Sequence, residues 1–179
     1  DLVFHLDHLK LLNLRSQDLI ILSDLDEIPD LNKLNLNEIN NEIIIFKQKM
    51  FYYKFNLLYE NFEWFGSKAI RKKNFVSPQW LRNIKSKNYP IWRVDVFFSK
   101  TKYHNIKFID DGGWHFTCIK SPEEVHKKLL TFAHHQDYEN SEITLDTLKE
   151  RMVNKQALYN HSLDKKNNNK WITDKKLKK

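Results

Sequence analysis

Three carboxylates fall within four residues of the segment "DLIILSDLDEIPD", residues 18–30: Asp24, Asp26 and Glu27, just after the apolar run from Leu19 to Leu22. Two like charges about 4 Å apart repel by roughly 1 kcal/mol in water and by several times more in a drier site. The sequence carries no basic residue between Arg15 and Lys33 to relieve that repulsion. The cluster therefore calls for a bound cation or for a positive side chain brought from elsewhere in the fold. Successive strand side chains point to opposite faces, so Asp24 and Asp26 are expected to share a side while Leu25 packs away from it. Two aligned carboxylates make a hard oxygen site suited to Mn²⁺ or Mg²⁺, ions commonly held by one or two carboxylates plus substrate phosphates. A capped turn into a following helix is the plainer use of such acids, but one capping acid would suffice for it.

The elements that must position these acids follow from pattern. The run Leu19 to Ser23 reads as a strand buried on both faces, as in a parallel α/β sheet, and ligands in such sheets sit beyond the carboxyl ends of the strands. Before it, "DLVFHLDHLKLLNL" spaces its leucines like an amphipathic helix, and a short helix is expected after Pro29, over residues 31–40. "EIIIFKQKMFYYKFN" is rich in β-branched and aromatic residues and reads as a long strand. "WFGSKAIRKK" reads as turn and strand, and "SPQWLRNIKSK" as a short helix with Ser77 as cap and Pro78 in its first position. "RVDVFFS" alternates weakly, and "IKFIDDGGWHFTCI" offers two strand pieces around Gly112 and Gly113. In "SPEEVHKKLLTFAHH", Ser121 and Glu124 form a capping box with Pro122 at the first position, and Val125, Leu129 and Phe132 mark the apolar face. "TLDTLKERMVNKQALYN" predicts a further helix. Strands first and helices last suggest an α/β domain with a mixed sheet.

A chain of 179 residues with 13% aromatic content is long enough and apolar enough to bury a core. The formal net charge of +7 is uneven: residues 164–179 hold seven Lys and two Asp, leaving +2 for the rest. That end is expected to be a solvated tail, with a nucleic-acid or anionic-membrane contact as the sharper reading. Cys118 is the single cysteine, which excludes an intrachain disulfide and a thiolate cluster. No run of 18 apolar residues suggests a membrane-spanning helix.

Two metal-dependent chemistries begin with an apolar strand followed by Asp-x-Asp. One is the haloacid-dehalogenase type of phosphatase, with Asp24 as nucleophile and Asp26 handling the proton; that pattern continues with Gly and Thr or Ser, whereas Glu27, Ile28 and Pro29 follow here. The other is sugar transfer from a nucleotide sugar, where Asp-x-Asp holds an ion on the donor diphosphate. "SDLDEIPD", "GGWHF", the capped helix from Ser121 and "FAHHQDYEN", in that order, resemble glycosyltransferase family 17, the family of the β-1,4-mannosyl-glycoprotein N-acetylglucosaminyltransferases. "YYKFN", "GSKA" and "SPQWLR" are similar to its middle region.

The resemblance implies a GT-A-like mixed sheet flanked by helices over residues 1–160, followed by the Lys/Asn-rich tail at 161–179. It implies a UDP-sugar donor, a divalent ion (Mn²⁺ or Mg²⁺), a glycan acceptor and inversion at the anomeric carbon, with no specific nucleic-acid partner. Asp26 would ligate the ion, Asp24 would touch the ribose or the ion through water, and Glu27 would orient the loop or approach the donor sugar. About 17 residues precede the Asp-x-Asp strand where a GT-A domain has several βα units, so the expectation is a chain lacking its N-terminal βα units. His115 and His134 are candidates for a third ligand, since neutral imidazole suits Mn²⁺; a buried core histidine and a helix-end dipole contact are the plainer readings of each. Trp114 is a candidate to stack on a sugar face, or a core aromatic. Inversion needs a carboxylate base near the acceptor hydroxyl; Asp111 is the candidate among Asp110, Asp111, Glu60 and Glu63. Arg71, Arg82 and Arg93 are candidate diphosphate contacts. A basic-tailed nucleic-acid-binding module is the non-catalytic alternative.

Overall fold

The computed structural model describes residues 13–35, 43–131, 135–141, 143–163 and 168–179. The chain divides into two compact units, each built from separated segments: residues 1–48 with 65–113, and residues 49–64 with 114–179. The N-terminal helix expected over the first residues lies outside the described residues, as does most of the one expected over residues 31–40; its start is a single 3₁₀ turn, Leu31–Lys33.

Strands β1 (Leu19–Leu22), β2 (Glu27–Pro29), β3 (Ile43–Tyr52), β4 (Leu58–Arg71), β5 (Ile106–Ile109) and β6 (Gly113–Thr117) form a mixed sheet. Their order is β1-β4-β3-β6-β2, with β5 also paired to β3. The chain is thus of mixed α/β class. In the first unit β1 runs antiparallel to β4, with Leu19 opposite Arg71 and Leu22 opposite Lys68. This corrects the reading of β1 as a parallel strand buried on both faces: its four residues are all half-buried, because it stands at the end of the strand order.

β3 is covered on both faces from Ile43 to Phe46. Ile43 and Ile45 pack with Ile70, Leu81, Ile84 and Ile106, while Ile44 and Phe46 pack with Ala69 and Ile109. Alternate residues of one strand feed two apolar clusters, so the run shows no apolar–polar alternation. Each such isoleucine removed from water contributes about 2–3 kcal/mol. β5 runs parallel to β3 from Ile43 to Phe46, and β6 runs parallel to it from Lys49 to Tyr52. The two pieces around the glycines are therefore successive stretches alongside one strand. Residues 110–112 are a jog between them, pinned where the Gly112 N–H donates to the Lys47 carbonyl at 2.7 Å.

Helix α1 (Pro78–Asn83) starts as the sequence predicts: the Ser77 hydroxyl accepts from the Trp80 N–H at 3.1 Å, with Pro78 in the first turn. The weakly alternating segment folds instead as a one-turn helix, α2 (Val94–Phe97). In the second unit, α3 (Pro122–Thr131) carries the capping box: the Ser121 N–H donates to Glu124 Oε2 at 3.0 Å, and the Glu124 N–H donates to Ser121 Oγ at 3.2 Å. Helices α4 (His135–Glu139) and α5 (Leu145–Val153) follow, α5 capped by Thr144. Val125 and Leu148 close on Met50, Tyr52 and Tyr59.

The C-terminal end departs from the solvated tail expected of it. Trp171 and Leu177 are 7% and 5% exposed within the core of the second unit. Lys178 exchanges backbone hydrogen bonds with Leu58 at 2.7 and 2.9 Å. Two apolar residues among the lysines, together with this backbone pairing, anchor the segment. No helix among the described residues is long and apolar enough to cross a membrane.

Candidate functional site

The acidic segment is a tight turn rather than an extension of β1. The Glu27 N–H donates to the Asp24 carbonyl at 3.1 Å, and the Asp24 N–H donates to Glu27 Oε2 at 3.2 Å. Leu25, expected to pack away, is 98% exposed at the tip of this turn. Strand alternation ends at Leu22, so it does not govern Leu25.

Beneath the turn lies a buried polar group. One residue past the last β1–β4 pair, Ser23 Oγ donates to Ser67 Oγ at 2.7 Å, and Gln48 Nε2 donates to the same oxygen at 3.1 Å. Ser67 Oγ reaches Glu27 Oε2 at 3.4 Å. Glu27 is thus turned inward and helps to hold the shape of the turn.

Lys68 occupies the other face of β4. It is 8% exposed, and its ammonium donates to the carbonyls of Arg82 and Ile84 at 2.8 and 2.6 Å. These are open carbonyls at the end of α1, where a cation also suits the helix dipole. Burial pushes the ammonium down to about 8, against the negative charge of Glu27, with Lys85 and Arg82 pushing further down. Lys68 therefore fixes the end of the helix that carries Arg82. Between pH 8 and 10.5 the unfolded chain binds more protons at Lys68 than the folded one, so this group makes stability climb as pH rises through that window. Lys68→Met removes the climb and leaves two carbonyls without their donor, at a cost of about 2 kcal/mol. Thermal unfolding across that range checks it: parallel curves for the two proteins contradict the assignment.

The positive partner for the acids comes from within the chain. Arg82 Nη2 contacts Asp24 Oδ1, with both side chains about half exposed. A pair this wet contributes at most about 1 kcal/mol and exchanges readily. Of the three candidate arginines, it is the one placed at the acids: Arg71 donates to the Gln17 carbonyl, and Arg93 pairs with Asp95. Among the described residues no three His, Cys, Asp or Glu side chains gather into an ion-holding group. The acids of the turn therefore belong to no all-protein cage among the described residues.

Asp111 lies in the jog before β6 with φ of 48°, a left-handed conformation that Asp tolerates, while its neighbour Asp110 pairs with Lys47 at 2.9 Å. Glu60 pairs with Lys178 at 3.0 Å. In the second unit, His115 on β6 is 5% exposed, its ring stacked on Trp64 at 4.4 Å and 12°. Trp114 is 41% exposed. His134 lies outside the described residues.

The two segments singled out from sequence meet directly in the first unit. The Asp30 N–H donates to the Gly112 carbonyl at 2.8 Å, and β2 borders β6. Gly113 has φ of 130°, and a Cβ there would overlap the Ile28 carbonyl oxygen and lie 2.9 Å from both Asp30 N and Pro29 Cα. The glycine is demanded by backbone approach. The Ser23–Ser67–Gln48 group and Lys68 were missed in the sequence; a Lys and a Ser inside the apolar run of "GSKAI" were the available signal.

Comparison with known proteins finds no matching family model, no matching curated protein and no matching solved structure.

Proposed function

We propose that this chain carries the ion- and diphosphate-binding turn of a GT-A-type glycosyltransferase resembling family 17, one that moves an N-acetylglucosamine-like sugar from a UDP-sugar to a glycan with inversion. The observation that supports it best is the backbone contact between Asp30 and Gly112, which joins the acidic turn to the Gly-Gly-Trp-His segment through a close approach only glycine allows. In this reading Asp24 and Asp26 present carboxylate oxygens at the mouth of the turn. Glu27, held by Ser67 and by the Asp24 amide, keeps them in place. A Mn²⁺ or Mg²⁺ ion held by Asp24 and Asp26 would neutralise charge on the departing diphosphate. Arg82, beside Asp24, would offer its guanidinium to a phosphate oxygen, an acceptor it is well shaped for. Asp111 accepts the proton of the attacking hydroxyl.

Calorimetric titration of UDP in the presence of Mn²⁺ tests the reading. The expected result is Mn²⁺-dependent binding that weakens by at least about tenfold in Asp26→Ala, with the thermal midpoint unchanged. Equal affinity in the two proteins, or no Mn²⁺-dependent binding at all, refutes it.

A further inference from the structure

Residues 90–99 form a loop whose ends are drawn together and whose tip is apolar. The Lys85 N–H donates to the Thr101 carbonyl at 2.8 Å, and the Tyr89 N–H donates to the Tyr103 carbonyl at 3.2 Å, so the two stems run side by side. Between them Ile91, Trp92, Val94, Phe97 and Phe98 are each between 66% and 85% exposed, and Val96 alone turns into the core. Five large apolar side chains in eight residues, left in water, are unusual for a stretch with a buried core beside it.

The tip is held rather than loose. Asp95 accepts from Arg93 Nε and Nη2 at 2.8 Å each and from Lys102 Nζ at 2.8 Å. Those hydrogen bonds hold its carboxyl far below the usual carboxylate range. Ser99 Oγ accepts from the N–H groups of Thr101 and Lys102 at 3.2 and 3.1 Å. Arg93, Lys87 and Lys102 lie over the Tyr89 ring at 5.4 to 5.9 Å. The local charge is one-sided as well. Residues 85–102 contain five basic residues and one acid, a net of +4 out of the chain's +7, and the acid is already paired.

We infer that this loop is a membrane-docking knob: Trp92, Phe97 and Phe98 enter the headgroup region of an anionic bilayer while Lys85, Lys87 and Lys100 at the stems meet lipid phosphates. Charge complementarity selects the occupant. A protein partner or a second copy of this chain needs an acidic rim to match the stems, and anionic lipid supplies it uniformly. Exposed Trp and Phe flanked by Lys and Arg is the composition that binds bilayer interfaces, with strength set by apolar area and electrostatic attraction together.

Co-sedimentation with vesicles tests it, using phosphatidylcholine alone and phosphatidylcholine containing about a third phosphatidylserine. The chain is expected to pellet with the anionic vesicles and to stay in solution with the neutral ones. The double variant Trp92→Ser with Phe98→Ser should lower anionic-vesicle affinity by at least about tenfold, and Lys85→Gln with Lys87→Gln should weaken both that affinity and its dependence on salt. Both pairs are exposed, so thermal midpoints should hold. No binding to anionic vesicles, or equal binding by the double variant, overturns the inference. Self-association seen by sedimentation velocity, lost in the double variant and unaccompanied by vesicle binding, overturns it in favour of a second copy. UDP binding in the Trp92 and Phe98 variant should be unchanged, which separates this surface from the acidic turn.

Discussion

Gly113→Ala should destabilise the protein by more than about 4 kcal/mol, a loss in the range reserved for named structural failures. Two effects add. The residue sits at φ of 130°, where any side chain is strained, at about 1–3 kcal/mol for a non-glycine residue. The new methyl would also overlap backbone atoms of β2, which cannot rotate aside as a flexible side chain could. Relief requires β2 to part from β6, and with it the turn that carries Asp24 and Asp26. Urea unfolding of the variant beside Gly112→Ala gives the comparison. Gly112 lacks the positive φ, although a Cβ there would lie 2.6 Å from the Ile109 carbonyl oxygen. A loss below about 1 kcal/mol at Gly113 would mean that β2 does not press against that position.

Trp171→Ala comes next in size, at about 3–5 kcal/mol, the usual cost of deleting a large buried aromatic. Its ring meets Tyr138 at 5.7 Å and Tyr159 at 5.3 Å, and its carbonyl accepts from Arg151 Nη2 at 2.8 Å. The effect should fall on the second unit, where that core lies. Denaturant unfolding followed by near-ultraviolet circular dichroism is a suitable readout, because the packed Tyr52, Tyr59, Tyr138 and Tyr159 report there. A silent substitution would restore the picture of a solvated tail.

The legible features in this sequence were those decided within a few residues. Ser77 with Pro78, and Ser121 with Glu124, announce helix starts because capping bonds span only three residues. The Gly112-Gly113 doublet announced a special backbone, but not that β2 causes it, since β2 lies more than 80 residues away in sequence. What failed was of long range. The apolar run of β1 looked as buried as that of β3, and only strand order separates them. The acids signalled a need for positive charge, while pairwise packing of α1 against its neighbours decided that Arg82 would answer it. The alternation of Asp24, Leu25 and Asp26 misled because the chain leaves the strand at Leu22, and no local residue marks that exit. Trp171 and Leu177 were overlooked in a lysine-rich stretch because average composition hides single anchors.

The discontinuous make-up of the second unit sets an order of events on the ribosome. Its arm, residues 49–64, emerges early and carries Met50, Tyr52, Leu57 and Tyr59, all buried in the finished protein. Their packing partners Val125, Leu148, Leu158 and Leu177 are translated much later. At synthesis rates of about 5–20 residues per second the arm waits on the order of ten seconds with its tyrosines in water. During that interval the nascent chain presents a sticky, strand-forming ribbon, so yield in the cell should depend on holdase chaperones more than the final stability suggests.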